Sequence, residues 1–127
     1  MKKDYTRDYA VEAFRLYALR KRPTYEDALA QICVEAPAAV ISKNAELDDI
    51  AAVNDMIVLL NRSGKQDIVR AVEIVYFQRP TKHLEKGDVQ ARVVRASLEI
   101  HASTQTIYGW LREARHLFAA LRGLRTD

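Results

Sequence analysis

The chain has 127 residues, of which 49% are apolar and 29% charged, a length and composition typical of one soluble globular domain. Its apolar runs are short and broken by charges, and the N-terminal MKKDYTRDY lacks the apolar core of a secretory signal, so we expect neither a membrane span nor export. A lone Cys33 has no partner for an internal disulfide, which favours a reducing, cytoplasmic location.

The positive charge is unevenly distributed along the chain. Residues 1–80 carry 12 Lys/Arg and 12 Asp/Glu, whereas residues 81–127 carry eight and five, together with all three His. The net charge of +3 therefore lies entirely in the last third. This asymmetry is expected of an end that faces phosphates, although an excess this small also arises by chance.

Apolar residues recur every three to four positions along nearly the whole chain, which predicts an all-α fold of about six helices. The first helix is predicted over 5–21. Pro23 and the acidic residues that follow it favour the start of a second helix over 23–34. Segment 36–46, which contains Pro37, is expected to be a connector.

A third helix is predicted over 47–62 and should end at Ser63–Gly64, where a glycine can cap it. A fourth is predicted over 65–79, because the next proline stops it. Segment 72–77 has strand propensity, but its flanks continue a helical period, so we interpret it as helix.

After a polar linker over 81–88, two further helices are predicted over 89–100 and 103–121. We divide the chain into a helical packing or interaction part, residues 1–80, and a basic helix-turn-helix module, residues 81–127. A single compact domain is the alternative.

The most informative motif is IHASTQTIYGWLREAR, residues 100–115. A helix-turn-helix requires a small residue within the first helix, an apolar residue at its end, a turn residue that tolerates a left-handed backbone, an N-cap, and apolar residues facing back. In that order the residues are Ser97, Ile100, His101, Ser103, and Ile107 with Trp110, and Ala102 is expected to be half-buried in the turn. The Ser103 hydroxyl is expected to accept from the amide of Gln105 or Thr106. His101 is the one departure, because glycine adopts a positive φ without strain.

The second helix of this motif separates an apolar side from a polar side. The apolar stripe is Ile107, Leu111, Ala114, Phe118 and Leu121. On the opposite face Gln105 and Arg112 suit adenine and guanine edges, and Gly109 leaves room for DNA to approach. Flanking polar residues suit phosphates. The DNA contacts predicted on this helix are Ser103, Thr104, Gln105, Tyr108, Arg112, Arg115 and His116.

Arg92 and Arg95 of the preceding helix are predicted to contact backbone phosphates beside the inserted helix. The alternative is a solvated surface, and it is favoured for Lys82 and Lys86 in the linker. The same alternative applies to the whole motif, because Gln and Arg on an outer face are typical of surface helices.

The segment ASTQTIYGWLREARHLFAALRGL, preceded by VVRASLEIH, resembles the C-terminal helix-turn-helix of sigma-factor region 4. It looks more closely like small phage and prophage transcriptional regulators of the ArpU/RinA type, whose pattern is Ser-x-x-Thr-Val/Ile-Tyr-x-Trp/Arg-Leu-x-x-Ala. The matching residues are Ser103, Thr106, Ile107, Tyr108, Leu111 and Ala114. The resemblance covers the last third of the chain. Residues 1–80 share only their helical character with these regulators.

The resemblance implies sequence-specific binding of double-stranded DNA and control of transcription, with RNA polymerase as an expected partner. Two alternatives stay open: a DNA-packaging adaptor like the small terminase subunits, which would form a ring-like oligomer, and a pure protein-interaction module. A homodimer built on the surplus apolar residues 117–124 would match a palindromic site, and the sequence does not decide it.

The sequence shows no nucleophile with a paired base, no phosphate-binding loop and no metal-ligand spacing. We therefore expect neither an enzyme, nor a cofactor, nor a metal. Asp48, Asp49 and Asp55 are interpreted as acids at a helix start and on a solvated face. Cys33 lies in an apolar stretch and is predicted to be a small core residue.

Overall fold

The computed structural model describes residues 5–35, 44–79 and 84–124. These residues form six helices and no strand, which confirms the predicted all-α fold. Within the same ranges, no helix combines the length and apolarity needed to cross a membrane. The helices are α1 (Tyr5–Leu19), α2 (Tyr25–Glu35), α3 (Ala45–Arg62), α4 (Gln66–Tyr76), α5 (Lys86–Ile100) and α6 (Thr104–Arg122).

Local capping chemistry explains where α3 begins and ends. Asn44 is the N-cap, and its side-chain carbonyl accepts from the Leu47 amide at 3.1 Å, so the helix starts earlier than the predicted residue 47. The helix ends at Ser63, and Gly64 follows it at φ 74°, as the sequence predicts. A short turn then leads directly into α4.

The start of α5 corrects the predicted linker over 81–88. Glu85 and Asp88 form a capping box, in which the side chain of each residue accepts from the backbone amide of the other. This reciprocal pairing stabilises a helix start among residues that carry little apolar character, so the helix already begins at Lys86. Residues 36–43 of the predicted connector and residues 80–83 lie outside the described part of the chain.

One continuous hydrophobic core contains buried residues from all six of these helices. At its centre the ring of Phe14 in α1 lies 5.4 Å from that of Phe118 in α6 and 5.5 Å from that of Tyr76 in α4, measured between centroids. Phe77 completes the cluster at 6.3 Å from Phe14. Residues from the predicted parts 1–80 and 81–127 therefore share the same buried aromatic contacts.

Helix α6 packs against α1, α3, α4 and α5. It runs antiparallel to α3: Asp49 near the start of α3 accepts from Arg122 at 2.7 Å, whereas Lys65, just beyond the end of α3, lies 3.1 Å from Glu113. This central position fixes which side of α6 remains outside.

Two apolar side chains lie outside the core against prediction. Cys33 is exposed, because Ala28 and Ile32 form the buried side of α2 and Cys33 points away from it. Leu121, assigned to the buried stripe of α6, is 38% exposed, whereas Ala119 in the same last turns is fully buried. The stripe shifts around the helix axis where α6 meets its neighbours near its C-terminus.

The shared core predicts a large and cooperative effect of one substitution. Phe118→Ala removes a fully buried ring that contacts Phe14, and we expect the free energy of unfolding to fall by about 3–5 kcal/mol. Urea denaturation followed by circular dichroism measures this loss.

Val34→Ala is the matched control, since Val34 is 84% exposed and its loss should change stability by less than about 0.5 kcal/mol. Both proteins should unfold in one transition. Two separate transitions would contradict a core shared between α1–α4 and α5–α6.

Candidate nucleic-acid interface

The turn between α5 and α6 has the backbone that the motif requires. His101 adopts the left-handed conformation at φ 61° and ψ 47°. The Ala102 amide then donates to the Ser97 carbonyl at 3.2 Å, and the Ser97 hydroxyl donates to the Ala102 carbonyl at 2.5 Å. Ser97 therefore closes the turn from both its backbone and its side chain, a role that needs a small polar residue at this position.

Ser103 caps α6 as predicted. Its hydroxyl oxygen accepts from the Thr106 amide at 3.1 Å, which is one of the two partners expected, and its hydroxyl donates to the Thr106 side-chain oxygen at 2.8 Å. With φ −66° and ψ 153°, Ser103 has the extended backbone of an N-cap residue. Both bonds stay within the first turn of α6.

The inner side of α6 is apolar and holds the helix in the core. Ile107, Ala114 and Phe118 have no exposed surface and Leu111 has 1%. Trp110 is partly buried and packs against the same core. These contacts leave the polar side of α6 facing solvent along its first three turns.

The solvent-facing side of α6 contains most of the predicted contact residues. A Cβ built on Gly109 would meet nothing within 4 Å, so the backbone there is open to solvent. Tyr108, which is 42% exposed, lies next to Gly109 on this surface. Of the contacts predicted on α6 and its cap, those that are exposed are Ser103, Thr104, Gln105, Tyr108, Arg112 and His116. The fold therefore brings these six side chains to one surface.

Arg115 differs from these residues because it is partly buried and bound within the chain. Its guanidinium donates to the Tyr76 hydroxyl at 2.8 Å, linking α6 to α4. Burial raises the pKa of Tyr76, and the positive charge of Arg115 opposes part of that rise. The arginine thus provides the polar partner that a buried tyrosine hydroxyl needs.

Arg92 is also used inside the fold. It donates to the carbonyls of Val75 at 2.8 Å and Gln78 at 2.7 Å, at the C-terminal end of α4. A cation there stabilises the negative end of the helix dipole. Burial lowers the pKa of the Arg92 guanidinium. Arg95, the second arginine predicted on α5, is exposed and pairs with Glu99 at 3.0 Å within its own helix.

Sequence reasoning did not predict that the turn between α3 and α4 lies beside the exposed side of α6. A groove of about 350 Å³ separates this turn from α6, and its walls include Gly64, Lys65, Gly109 and Trp110. Lys65 crosses it to Glu113 at 3.1 Å. The helical period of α6 places Glu113 on an outer side, but no local signal connects it to a residue 48 positions away.

The acids of α3 are not grouped as a metal site would need. Asp49 accepts from the Tyr9 hydroxyl at 2.8 Å as well as from Arg122, and Asp55 is exposed. Across the described ranges, no group of three or more His, Cys, Asp or Glu residues could hold a metal ion.

No protein-family model matches the chain, and no curated protein or solved structure matches it either.

The strained turn predicts that a smaller residue stabilises the protein. A left-handed backbone costs an L-residue about 1–2 kcal/mol, and glycine avoids this but loses about 0.5–1 kcal/mol of chain entropy on folding. We therefore expect His101→Gly to raise the free energy of unfolding by about 0.5–1 kcal/mol, measured by urea denaturation with an unchanged m value.

His101→Val is the opposite control, because a β-branched residue is most strained at φ 61°. It should lower stability by more than about 1 kcal/mol. A loss of stability in the glycine variant would show that the imidazole makes a contribution beyond filling the turn.

Proposed function

We propose that this chain is a sequence-specific DNA-binding transcriptional regulator of phage or prophage type, in which α6 enters the major groove. The observation that carries the proposal is the combination of a left-handed turn at His101, the Ser103 cap, and a polar row on the one side of α6 that the core leaves free. These three features are the structural requirements of a helix-turn-helix whose second helix contacts bases.

The spacing of side chains along α6 supports contacts to different base pairs of the DNA major groove. The major groove is about 12 Å wide and accepts a helix with its side chains. Gln105 and Arg112 lie about two turns apart on the exposed side, where each would contact a different base pair. Gly109 lies between them, so no side chain holds the helix away from the bases.

Neighbouring residues on the same surface would anchor the helix to the DNA backbone. Thr104 and Tyr108 are exposed on one flank and carry hydroxyls that can donate to phosphate oxygens. His116 extends the surface beyond the middle of α6, toward its C-terminal half. Ser103 lies at the positive end of the helix dipole, where a phosphate is also favoured.

The side-chain contacts within the chain leave fewer residues available to bind DNA than the sequence analysis predicted. Arg92 and Arg115 support α4 and the buried Tyr76, so in this proposal they orient the motif and do not contact DNA. Arg95 stays next to Glu99 on α5. The proposal therefore rests on the exposed residues of α6.

The other helices have two roles in the proposal. α1, α3 and α4 hold the back of α6 and fix its direction. A partner such as RNA polymerase would contact an exposed acidic residue of α3. Asp55 is exposed and suits this role. Asp49 does not, because it accepts hydrogen bonds from Arg122 and Tyr9. Action on DNA in the cytoplasm belongs to the same proposal.

The first experiment is fluorescence anisotropy of a labelled mixed-sequence duplex, titrated with protein at about 50 and 200 mM salt. Neutralising phosphates releases counterions, so the affinity should fall steeply between the two conditions. Absence of binding at low salt would argue against DNA binding by the protein alone and favour the protein-interaction alternative.

A second prediction separates base reading from phosphate contact. After selection of a preferred site from a random duplex library, Arg112→Ala should weaken binding to that site by about 1–3 kcal/mol and relax its sequence preference. Competition between the selected and the mixed duplex measures both effects.

Arg70→Ala is the matched control, since Arg70 is exposed on α4 and the substitution removes the same charge. It should leave the preference between the two duplexes unchanged. Equal weakening of Arg112→Ala on both duplexes would show that Arg112 contacts only phosphate.

A further inference from the structure

One carboxylate lies on the exposed side of α6, among residues that are otherwise neutral or basic. Glu113 is the one acidic residue in the sequence of this helix. It follows Gln105 and Gly109 at four-residue spacing, so the three residues form one row along the helix. The Glu113 side chain is 46% exposed. A negative charge is therefore present on the side of α6 that the proposed function turns toward DNA.

A residue from outside the helix-turn-helix holds this carboxylate. Lys65 lies in the turn between α3 and α4, and its ammonium donates to Glu113 Oε1 at 3.1 Å across the groove beside α6. The Lys65 side chain is 47% exposed. An ion pair this exposed contributes little to the stability of a fold, so the core does not require it.

The ion pair leaves Glu113 able to accept a further hydrogen bond. A carboxylate has two oxygens, so Oε2 can accept from a ligand while Oε1 accepts from Lys65. Without a cation beside it, Glu113 would repel the phosphates of a bound duplex. Lys65 offsets that charge and also limits the directions of the Glu113 side chain, because it is anchored between two packed helices.

The four bases differ in what their major-groove edges offer to a carboxylate, which only accepts hydrogen bonds when it is ionised. Guanine presents two acceptors, N7 and O6, and thymine presents the acceptor O4 beside a methyl group. Adenine presents the N6 donor directly beside the acceptor N7. Cytosine presents the N4 donor with no acceptor beside it on the same base. A fixed carboxylate therefore favours cytosine.

We propose that Glu113 is a specificity-determining residue whose carboxylate accepts from the N4 amino group of a cytosine, and that Lys65 is a positioning residue that acts through it. The inference rests on the proposed function, because it requires α6 to lie in the major groove. Glu113 lies eight residues beyond Gln105, about 12 Å along the helix axis, so the two side chains contact different base pairs. Glu113 selects by attraction to cytosine and by repulsion of bases that present acceptors.

The test compares the wild type with Glu113→Gln after each selects its sites from a random duplex library. The wild-type sites should contain a cytosine at one position where the variant has no preference. Replacing that cytosine should weaken wild-type binding about five- to tenfold. The variant should bind all four versions within about twofold, because an amide both donates and accepts. Its affinity for a mixed-sequence duplex should not fall, since a negative charge is removed.

Glu99→Gln is the matched control. Glu99 is also a partly exposed carboxylate in an ion pair, 3.0 Å from Arg95, but it lies on α5 and outside the row on α6. Its substitution removes the same charge and should leave the preference at every base pair unchanged. Circular dichroism of each variant checks that the helices are intact.

Substitution of Lys65 tests its positioning role. Lys65→Met should lower the preference for cytosine at the same base pair at least twofold, whereas Lys65→Arg should retain it, because a guanidinium can donate to the same carboxylate. In the Glu113→Gln background, Lys65→Met should leave the remaining preferences unchanged. If Lys65→Met instead weakened binding to all duplexes equally and kept the preference for cytosine, Lys65 would be a phosphate contact and the positioning role would be wrong.

Two outcomes would overturn the role of Glu113 and leave the proposed function standing. The first is a Glu113→Gln protein that keeps the wild-type preference at every base pair. The second is a variant whose preferences weaken alike at all positions, which would indicate a change in the whole helix. Absence of wild-type binding to any duplex would reject the proposed function itself, and this inference with it.

Discussion

The burial of one side of α6 is the constraint on which the rest of this structure depends. Ile107, Leu111 and Phe118 enter a core to which every described helix contributes, and Phe118 meets Phe14 from the other end of the chain. Burying these three side chains stabilises the fold by roughly 1.5–3 kcal/mol each. The same contacts prevent α6 from rotating about its axis, so they decide which residues face solvent.

What remains outside follows from this packing. With the apolar stripe turned inward, Gln105 and Arg112 necessarily point outward, and Gly109 marks the lowest part of the exposed surface between them. The turn before α6 sets the direction in which the helix leaves α5. His101 accepts a strained backbone there, and the bonds from Ser97 and the cap at Ser103 compensate for it.

Several basic residues of the last third form contacts within the fold. Three arginines near α6 serve the interior: Arg92 at the end of α4, Arg115 at the Tyr76 hydroxyl, and Arg122 at Asp49. The charge excess of the last third is therefore less available to phosphates than its sequence position indicates. Specificity in the proposed complex would come from a few exposed side chains of α6, with a smaller general electrostatic attraction.

The sequence by itself determined the six helices, the caps at Ser63–Gly64 and Ser103, and the polar side of α6, because these depend on residues three or four positions apart. It misplaced the start of α5, since a capping box needs no apolar residue, and it placed Cys33 and Leu121 inside. Only the tertiary structure decided which arginines are free. Arg115 and Tyr76 are 39 positions apart, and Arg122 and Asp49 are 73 apart. Such pairs form when helices pack, and no local pattern carries that information.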